Sequence, residues 1–219
     1  MLTRRHLLSS AGALFSTVVV GGPALAQTAQ ERQWDEWDAQ VRPTSYDPAT
    51  SNPWGLHPRF LPRMIRTNRT LTPGDIHVDA VARYLYHIQA DGVTAMRYGV
   101  AIGRGDLYIP GTFTIARKAR WPSWTPTATM IERNPEYAEW AGGQPGGPAN
   151  PLGARAMYLY AGGRDTYLRI HGTPQPATVG FRASSGCVRM VMAHIIDLYD
   201  QVNTGATAYL YPGEQTVTS

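Results

Sequence analysis

The chain of 219 residues has one cysteine, Cys187. An intramolecular disulfide and a multi-cysteine metal site are therefore both excluded. Long apolar runs are missing as well: the one candidate lies near the amino terminus and is interrupted by glycine and serine. A transmembrane span asks for about 18 or more strongly apolar residues. Excess charge of either sign is absent. Without Arg4 and Arg5, 18 basic residues face 16 acidic ones, a net charge of +2. That balance gives no clustered basic face for nucleic acid. Neither internal repeats nor low-complexity tracts are present. His57, His77, His87 and His194 lack acidic partners at metal-ligand spacing, so each reads as a packing or surface residue and no metal site is expected.

The first 26 residues read as an address. Arg4 and Arg5 precede a short, mildly apolar segment with Ser9, Ser10, Gly12 and Gly21, and Ala24-Leu25-Ala26 supplies a small-x-small end. This is the pattern of an export signal of the twin-arginine type, cleaved after Ala26. Position 27 is glutamine, so no cysteine stands there to carry a lipid. The mature chain is expected to be soluble outside the cytoplasm, with no transmembrane anchor after processing. Structural cysteines in an oxidising compartment tend to occur in pairs, which makes a lone thiol a candidate for chemistry.

The mature chain is long enough for one catalytic domain with its own core. Its 22 glycines, 17 prolines, 12 tyrosines and 6 tryptophans, with few helical apolar patterns, favour a mainly β fold with a few helices. Residues 27–69 form a proline- and tryptophan-rich extension. Glu31 to Asp38 reads as a short helix, and Trp54, Phe60 and Leu61 as anchors onto the main domain. Residues 70–213 form the catalytic domain, and 214–219 a tail. Strands are predicted around Ile76–Val78, Arg83–Ile88, Met96–Ile102, Pro110–Ile115, Ala156–Tyr160, Tyr167–Ile170 and Ala206–Tyr211, with a hairpin turn at Gly162-Gly163. Val191, Ile195, Leu198, Tyr199 and Val202 share one face at helical spacing, with Gly205 just beyond.

Cys187 lies in Ser184-Ser185-Gly186-Cys187-Val188-Arg189-Met190, sixteen residues after His171 of His171-Gly172-Thr173. Acyl transfer by cysteine needs a thiolate, a nearby imidazole to take its proton, and glycine to let the backbone approach the reacting carbonyl. Predicted strand 167–170 ends just before His171 and would aim it into a cleft. Gly186 and Cys187 are expected in a loop leading into the helix, with free backbone N–H groups for an oxyanion and a helix dipole lowering the thiol pKa. The competing reading is an inert thiol packed as a small hydrophobe. Trp121, Trp124 and Tyr158 could line a substrate groove or serve as core anchors. Gly142-Gly143-Gln144-Pro145-Gly146-Gly147 lacks the lysine of a phosphate-binding loop and reads as a flexible flap.

Over residues 70–212 these motifs, together with Pro110-Gly111-Thr112-Phe113 and Asn150-Pro151-Leu152-Gly153, resemble the L,D-transpeptidases (YkuD-type, ErfK/YbiS-like) that act on bacterial peptidoglycan. The resemblance implies a β-rich, sandwich-like catalytic domain facing the cell wall, without metal or organic cofactor. It casts Cys187 as nucleophile, His171 as proton acceptor and donor, the Gly172 carbonyl as the group orienting His171, and the Gly186 N–H as oxyanion donor. Arg189, Ser184 and Tyr158 are candidate substrate-binding residues, Ser184 and Arg189 with structural roles as the alternative. Met192-Ala193-His194 replaces the Asn-x-Asp of many relatives, which leaves helix-start hydrogen bonds and acceptor binding open. The implied donor is a peptidoglycan stem peptide. The acceptor is a stem amine, a lysine of an outer-membrane protein, or water, the last giving an L,D-carboxypeptidase. An amide hydrolase using the same pair and a non-catalytic wall-binding module are the alternatives.

Overall fold

The computed structural model describes residues 27–214; the segment 1–26, expected to be an export signal, and residues 215–219 of the tail lie outside them. The strands are β1 (Arg63–Arg66), β2 (Ile76–Asp79), β3 (Tyr84–Ile88), β4 (Thr94–Gly99), β5 (Ile102–Gly103), β6 (Gly111–Arg120), β7 (Arg155–Ala161), β8 (Arg164–Thr173), β9 (Arg182–Ser184), β10 (Val188–Val191) and β11 (Thr207–Leu210). The helices are α1 (Ala29–Val41), α2 (Ala128–Arg133) and α3 (Met192–Gln201). The fold is mainly β, as expected from the composition.

Nine strands form one sheet in the order β1-β4-β3-β2-β11-β6-β7-β8-β10, and β5 pairs with β9 separately. Alternation of apolar and polar residues explains why these segments are strands: in β6, Phe113 and Ile115 are buried while Thr112 and Thr114 are exposed. The sheet curls. Ala101, just after β4, exchanges two backbone hydrogen bonds with Arg189 of β10 (2.9 and 2.8 Å), so the far edge is met by the chain from the other end. One apolar core results, which joins Leu85 of β3 to Met157 of β7 and Met190 of β10. Each of these side chains is fully out of water, and burial of one such side chain contributes about 1.5–3 kcal/mol.

Helix α3 carries the predicted apolar stripe, with Ile195 and Leu198 fully buried against that core. Val191 and Val202 flank the helix instead of lying in it: Val191 ends β10 and Val202 caps the C-terminus. His194 is buried without exposure inside a cage of Tyr46, Trp54 and Tyr98. Two walls of that cage come from the extension, so residues 27–69 help seat α3.

The extension is tied down elsewhere too. Helix α1 is longer than the predicted 31–38 because Thr28 and Glu31 form a reciprocal capping box that starts it earlier. Its Trp37 ring meets Trp121 edge-on at 5.2 Å, and Trp34, Trp37 and Val41 pack on Ala154, Met192 and Ile196. Asp38 accepts two hydrogen bonds from the guanidinium of Arg155 (2.8 and 2.6 Å) and one from the Trp121 indole N–H (3.0 Å). Trp54 and Leu61 flank a buried cluster containing Leu56 and Phe60. The proline-rich stretch is thus anchored at three points.

Arg155 is nearly buried, with 4% of its side chain exposed, and Asp38 is its only salt-bridge partner among the described residues. Asp38→Ala should lower the unfolding free energy of the mature chain by about 3–5 kcal/mol, because it strands a buried guanidinium. Urea denaturation followed by tryptophan fluorescence measures this. A loss below about 1 kcal/mol would mean that the pair behaves like an exposed surface bridge.

Candidate active site

The site forms where β8 and β10 run side by side. They are parallel, with Arg189 in register with His171 and Val188 with Ile170. Partners in register project to the same face, and side chains alternate along a strand. Val188 and Ile170 point into the core. His171 and Arg189 therefore share the opposite face, and Arg169 and Cys187, each two residues earlier, join them there. The sheet extends this row: Arg169 lies opposite Tyr158 of β7, and Tyr158 opposite Arg117 of β6.

His171 is 3% exposed, and its Nδ1 lies 2.6 Å from the Gly172 carbonyl oxygen. A carbonyl only accepts, so Nδ1 carries the hydrogen and Nε2 holds the free lone pair. Burial is the chief cause that pushes the His171 pKa down to about 3; the charge of Arg189 adds to it, and the Gly172 bond opposes it. The backbone of Leu152 also touches this ring. Asn150, itself 1% exposed, secures that loop: its Oδ1 accepts from Leu152 N–H (2.8 Å) and its Nδ2 donates to the Pro145 carbonyl (2.9 Å). Gly153 has φ +61°, and a β-carbon there would come within 2.8 Å of the Gly172 backbone. Only glycine fits so close a crossing.

The structure differs from the expected loop-to-helix setting of Cys187. Strand β10 intervenes, and α3 begins at Met192, five residues later. The dipole of α3 acts within its first turn and does not reach the thiol. Burial instead raises the Cys187 pKa, against lowering by the Arg169 backbone N–H and the charges of Arg169 and Arg189. The surroundings thus favour the neutral form of each reacting group.

The motif loop is held by Ser184. Its hydroxyl donates to the Cys187 carbonyl (2.5 Å) and accepts from the Gly186 N–H (3.1 Å). Ser184 is 1% exposed, so its hydroxyl is engaged within the loop and not offered to a ligand. The Gly186 N–H expected at an oxyanion is likewise occupied, and the Cys187 N–H is the remaining candidate from that pair. Gly186 is required for another reason: φ is +130°, and a β-carbon would meet the Leu107 carbonyl oxygen at 3.0 Å.

A cavity of about 260 Å³ opens beside the thiol, lined by Cys187, Arg169, Tyr158, Arg117, Trp124 and Leu152 among others. Tyr158 is clamped between two guanidinium groups, with Arg117 at 4.2 Å and Arg169 at 4.1 Å from its ring centroid. Sequence reasoning missed both arginines. Arg169 was findable, being two residues before His171 on one strand; Arg117 was not, because a register shift in β6 places it opposite Tyr158. Trp124 lines the cavity, whereas Trp121 is a core anchor at 3% exposure. The wall over the cavity comes from residues 123–130. The glycine segment 142–147 is not a free flap: Gln144 exchanges two backbone hydrogen bonds with Trp124, and Gly146 lies directly against the Trp121 carbonyl.

A thiol, an imidazole with a free lone pair and a row of cations on one face of a β-rich domain invite comparison with known proteins. The sequence model of the L,D-transpeptidase catalytic domain matches residues 73–210. The chain belongs to this family. It is 32% identical over 151 residues to the probable L,D-transpeptidase ErfK/SrfK of Escherichia coli, covering 66% of this chain and 46% of that one. Against the probable L,D-transpeptidase YbiS of Escherichia coli it is 33% identical over 148 residues, 62% of this chain and 45% of that one. The chain spans about half the length of these curated relatives. Among solved structures, a chain from Brucella melitensis titled a probable carnitine operon oxidoreductase is 46% identical, with 69% of this chain and 94% of that chain covered and a TM-score of 0.49.

Two buried histidines give the fold a definite acid sensitivity. Burial holds both His171 and His194 at about 3, below the ordinary value of about 6.5. Between those values the unfolded chain binds more protons than the folded one, so stability present above pH 6.5 is lost as pH falls toward 3. His194→Phe should reduce the loss between pH 7 and pH 5 by about 2 kcal/mol. Urea titrations at the two pH values test this, and an unchanged difference would show that the His194 imidazole protonates freely in the folded state.

Proposed function

We propose that this chain is a cysteine-dependent acyltransferase, a peptidoglycan L,D-transpeptidase, with Cys187 as nucleophile and His171 as its proton acceptor and donor. The carrying observation is the registered β8–β10 pair, which puts the thiol, the imidazole with its free Nε2 and the Arg189 guanidinium on one face within the family-matched span. The favoured neutral state has a mechanistic consequence. A preformed thiolate–imidazolium pair is disfavoured by burial, so Cys187 gives up its proton to His171 Nε2 as sulfur attacks the carbonyl. The imidazolium formed is held by the Gly172 carbonyl at Nδ1. The Cys187 N–H is the backbone donor for the oxyanion.

The acyl donor is a stem peptide, and the bond broken joins the L-centre carbonyl of its third residue, meso-diaminopimelate, to D-Ala at position four. His171 returns the proton to the departing D-Ala amine, leaving a thioester on Cys187. An acceptor amine then attacks the thioester carbonyl, His171 takes the amine proton and returns it to the Cys187 sulfur as the C–S bond breaks, and the product is a 3-to-3 cross-link when the amine belongs to another stem and a tether when it is a lysine of an outer-membrane protein. Stem peptides carry free carboxylates, and the site offers cations for them. Arg189 makes no salt bridge among the described residues, and its Nε is buried without a partner. A guanidinium in that condition fits a substrate carboxylate. Arg117 and Arg169, flanking Tyr158 in the cavity beside the thiol, add to the positive field. The periplasm is the compartment proposed for this work, reached by way of the twin-arginine signal at residues 1–26. Among the described residues no helix is long and apolar enough to cross a membrane.

Incubating the mature chain with peptidoglycan and weighing the products tests the proposal: cross-linked dimers, trimmed monomers and unchanged muropeptides differ in mass. Dimers are expected. Cys187→Ser should give no acyl-enzyme on intact-mass analysis with a stem tetrapeptide while melting like the parent, because a hydroxyl is far less acidic than a thiol. Equal adduct from the serine variant would remove Cys187 from the nucleophile's role.

A further inference from the structure

Tyr167 adopts φ +61°, a left-handed conformation that residues with a β-carbon rarely take. Packing of its ring does not explain this, since the side chain is exposed, with 70% of Tyr167 accessible. The conformation has an identifiable holder. Asp165 Oδ1 accepts from the Tyr167 N–H (2.8 Å), closing a tight turn, and the same carboxylate takes two hydrogen bonds from the Arg169 guanidinium (2.6 and 2.8 Å). The flanking residues reinforce it: the Thr166 hydroxyl donates to the Leu159 carbonyl (2.6 Å) and accepts from the Leu168 N–H (3.2 Å). The β7–β8 register shifts at this point, between the Tyr158 and Tyr160 pairings. The strand is bent around one residue.

The bend has a target. The Cys187 thiol donates to the Tyr167 carbonyl oxygen at 3.7 Å. Two residues on, Arg169 lines the same cavity as the sulfur, and its positive charge favours the thiolate. The strained segment therefore presents an acceptor for the resting S–H.

We propose that Asp165 and Arg169 are positioning residues which lock Tyr167 in its left-handed turn, so that the Tyr167 carbonyl holds the Cys187 thiol and fixes its direction of attack. This rests on Cys187 being the nucleophile proposed above. The lock acts through backbone atoms of Tyr167, while its ring lies 6.0 Å from the Arg169 guanidinium at the edge of the cavity. Bent backbone of this sort persists only where its surroundings over-determine it, and such sites cluster around reacting groups.

The backbone route makes a rescue experiment decisive. Asp165→Ala should slow acylation by a stem tetrapeptide about tenfold, because a misaimed nucleophile loses near-attack geometry. Adding Tyr167→Gly should restore the rate to within about threefold, since glycine takes positive φ without a steric cost and keeps the carbonyl. Asp165→Asn, which keeps an acceptor for the Tyr167 N–H, should stay within about threefold of the parent. Alkylation of Cys187 by iodoacetamide at pH 8 needs no stem peptide and should follow the same order of departure and recovery: shifted from the parent rate in Asp165→Ala and returned toward it in the double variant, as the sulfur loses and regains the Tyr167 carbonyl, whereas an effect of the lost Asp165 charge alone would persist in both. No rescue by glycine in either assay, or an Asp165→Ala variant equal to the parent in both, overturns the lock. A parent chain that ignores the stem peptide while the alkylation series keeps this order overturns the acyltransferase reading and leaves the lock standing.

Discussion

The parallel register of β10 on β8 is the constraint on which the site depends. A slip of one residue would turn Arg189 and Cys187 into the core and Val188 out of it. The register is protected on both sides of β10. On one side Val188 and Met190 are fully buried; on the other, Ala101 caps the edge with two backbone hydrogen bonds to Arg189. Without that cap β10 would be a short edge strand. The curl of the sheet that brings Ala101 there is thus part of the site's construction as well as of its core.

Burial shapes the chemistry in a way that a list of motif residues does not convey. His171 and Cys187 both favour their neutral forms because the protein withdraws them from water. Charge appears only when a substrate is being attacked, under the proposed reaction, and the groups that would then meet it are already in place. The Gly172 carbonyl faces the imidazole, and Arg189 and Arg169 stand beside the sulfur. Positive charge next to a neutral imidazole discourages its premature protonation and suits an anionic donor.

The extension contributes at a distance. Asp38 neutralises Arg155 under α3, and Trp54 and Tyr46 enclose His194 at the helix's first turn. In many relatives an Asn-x-Asp lies near this point, whereas here Met192-Ala193-His194 starts a helix with no side-chain cap. Helix α3 follows directly from β10, so fixing its start also fixes the strand that carries Arg189.

Local sequence determined much of this protein. Short β-prone segments between turn residues marked β2, β3, β6, β7, β8 and β11; a helical stripe marked α3; and the lone thiol sixteen residues after His171 marked the site. What the sequence left hidden is non-local. Strand β10 has only four residues, and Val188 to Val191 reads equally well as the approach to a helix until β8 and Ala101 pair with it. Gly186 looked like an oxyanion donor until the Ser184 hydroxyl, buried beneath the loop, was found to take its N–H. Arg117 joins Tyr158 through a register shift that no periodicity announces, and Tyr167 owes its left-handed turn to Asp165 and Arg169 on either side of it. Residue type and spacing specify which groups are available and which face of an element they occupy. Only the closed sheet, through cross-strand hydrogen bonds and the exclusion of water, decides which of them meet and in which protonation state.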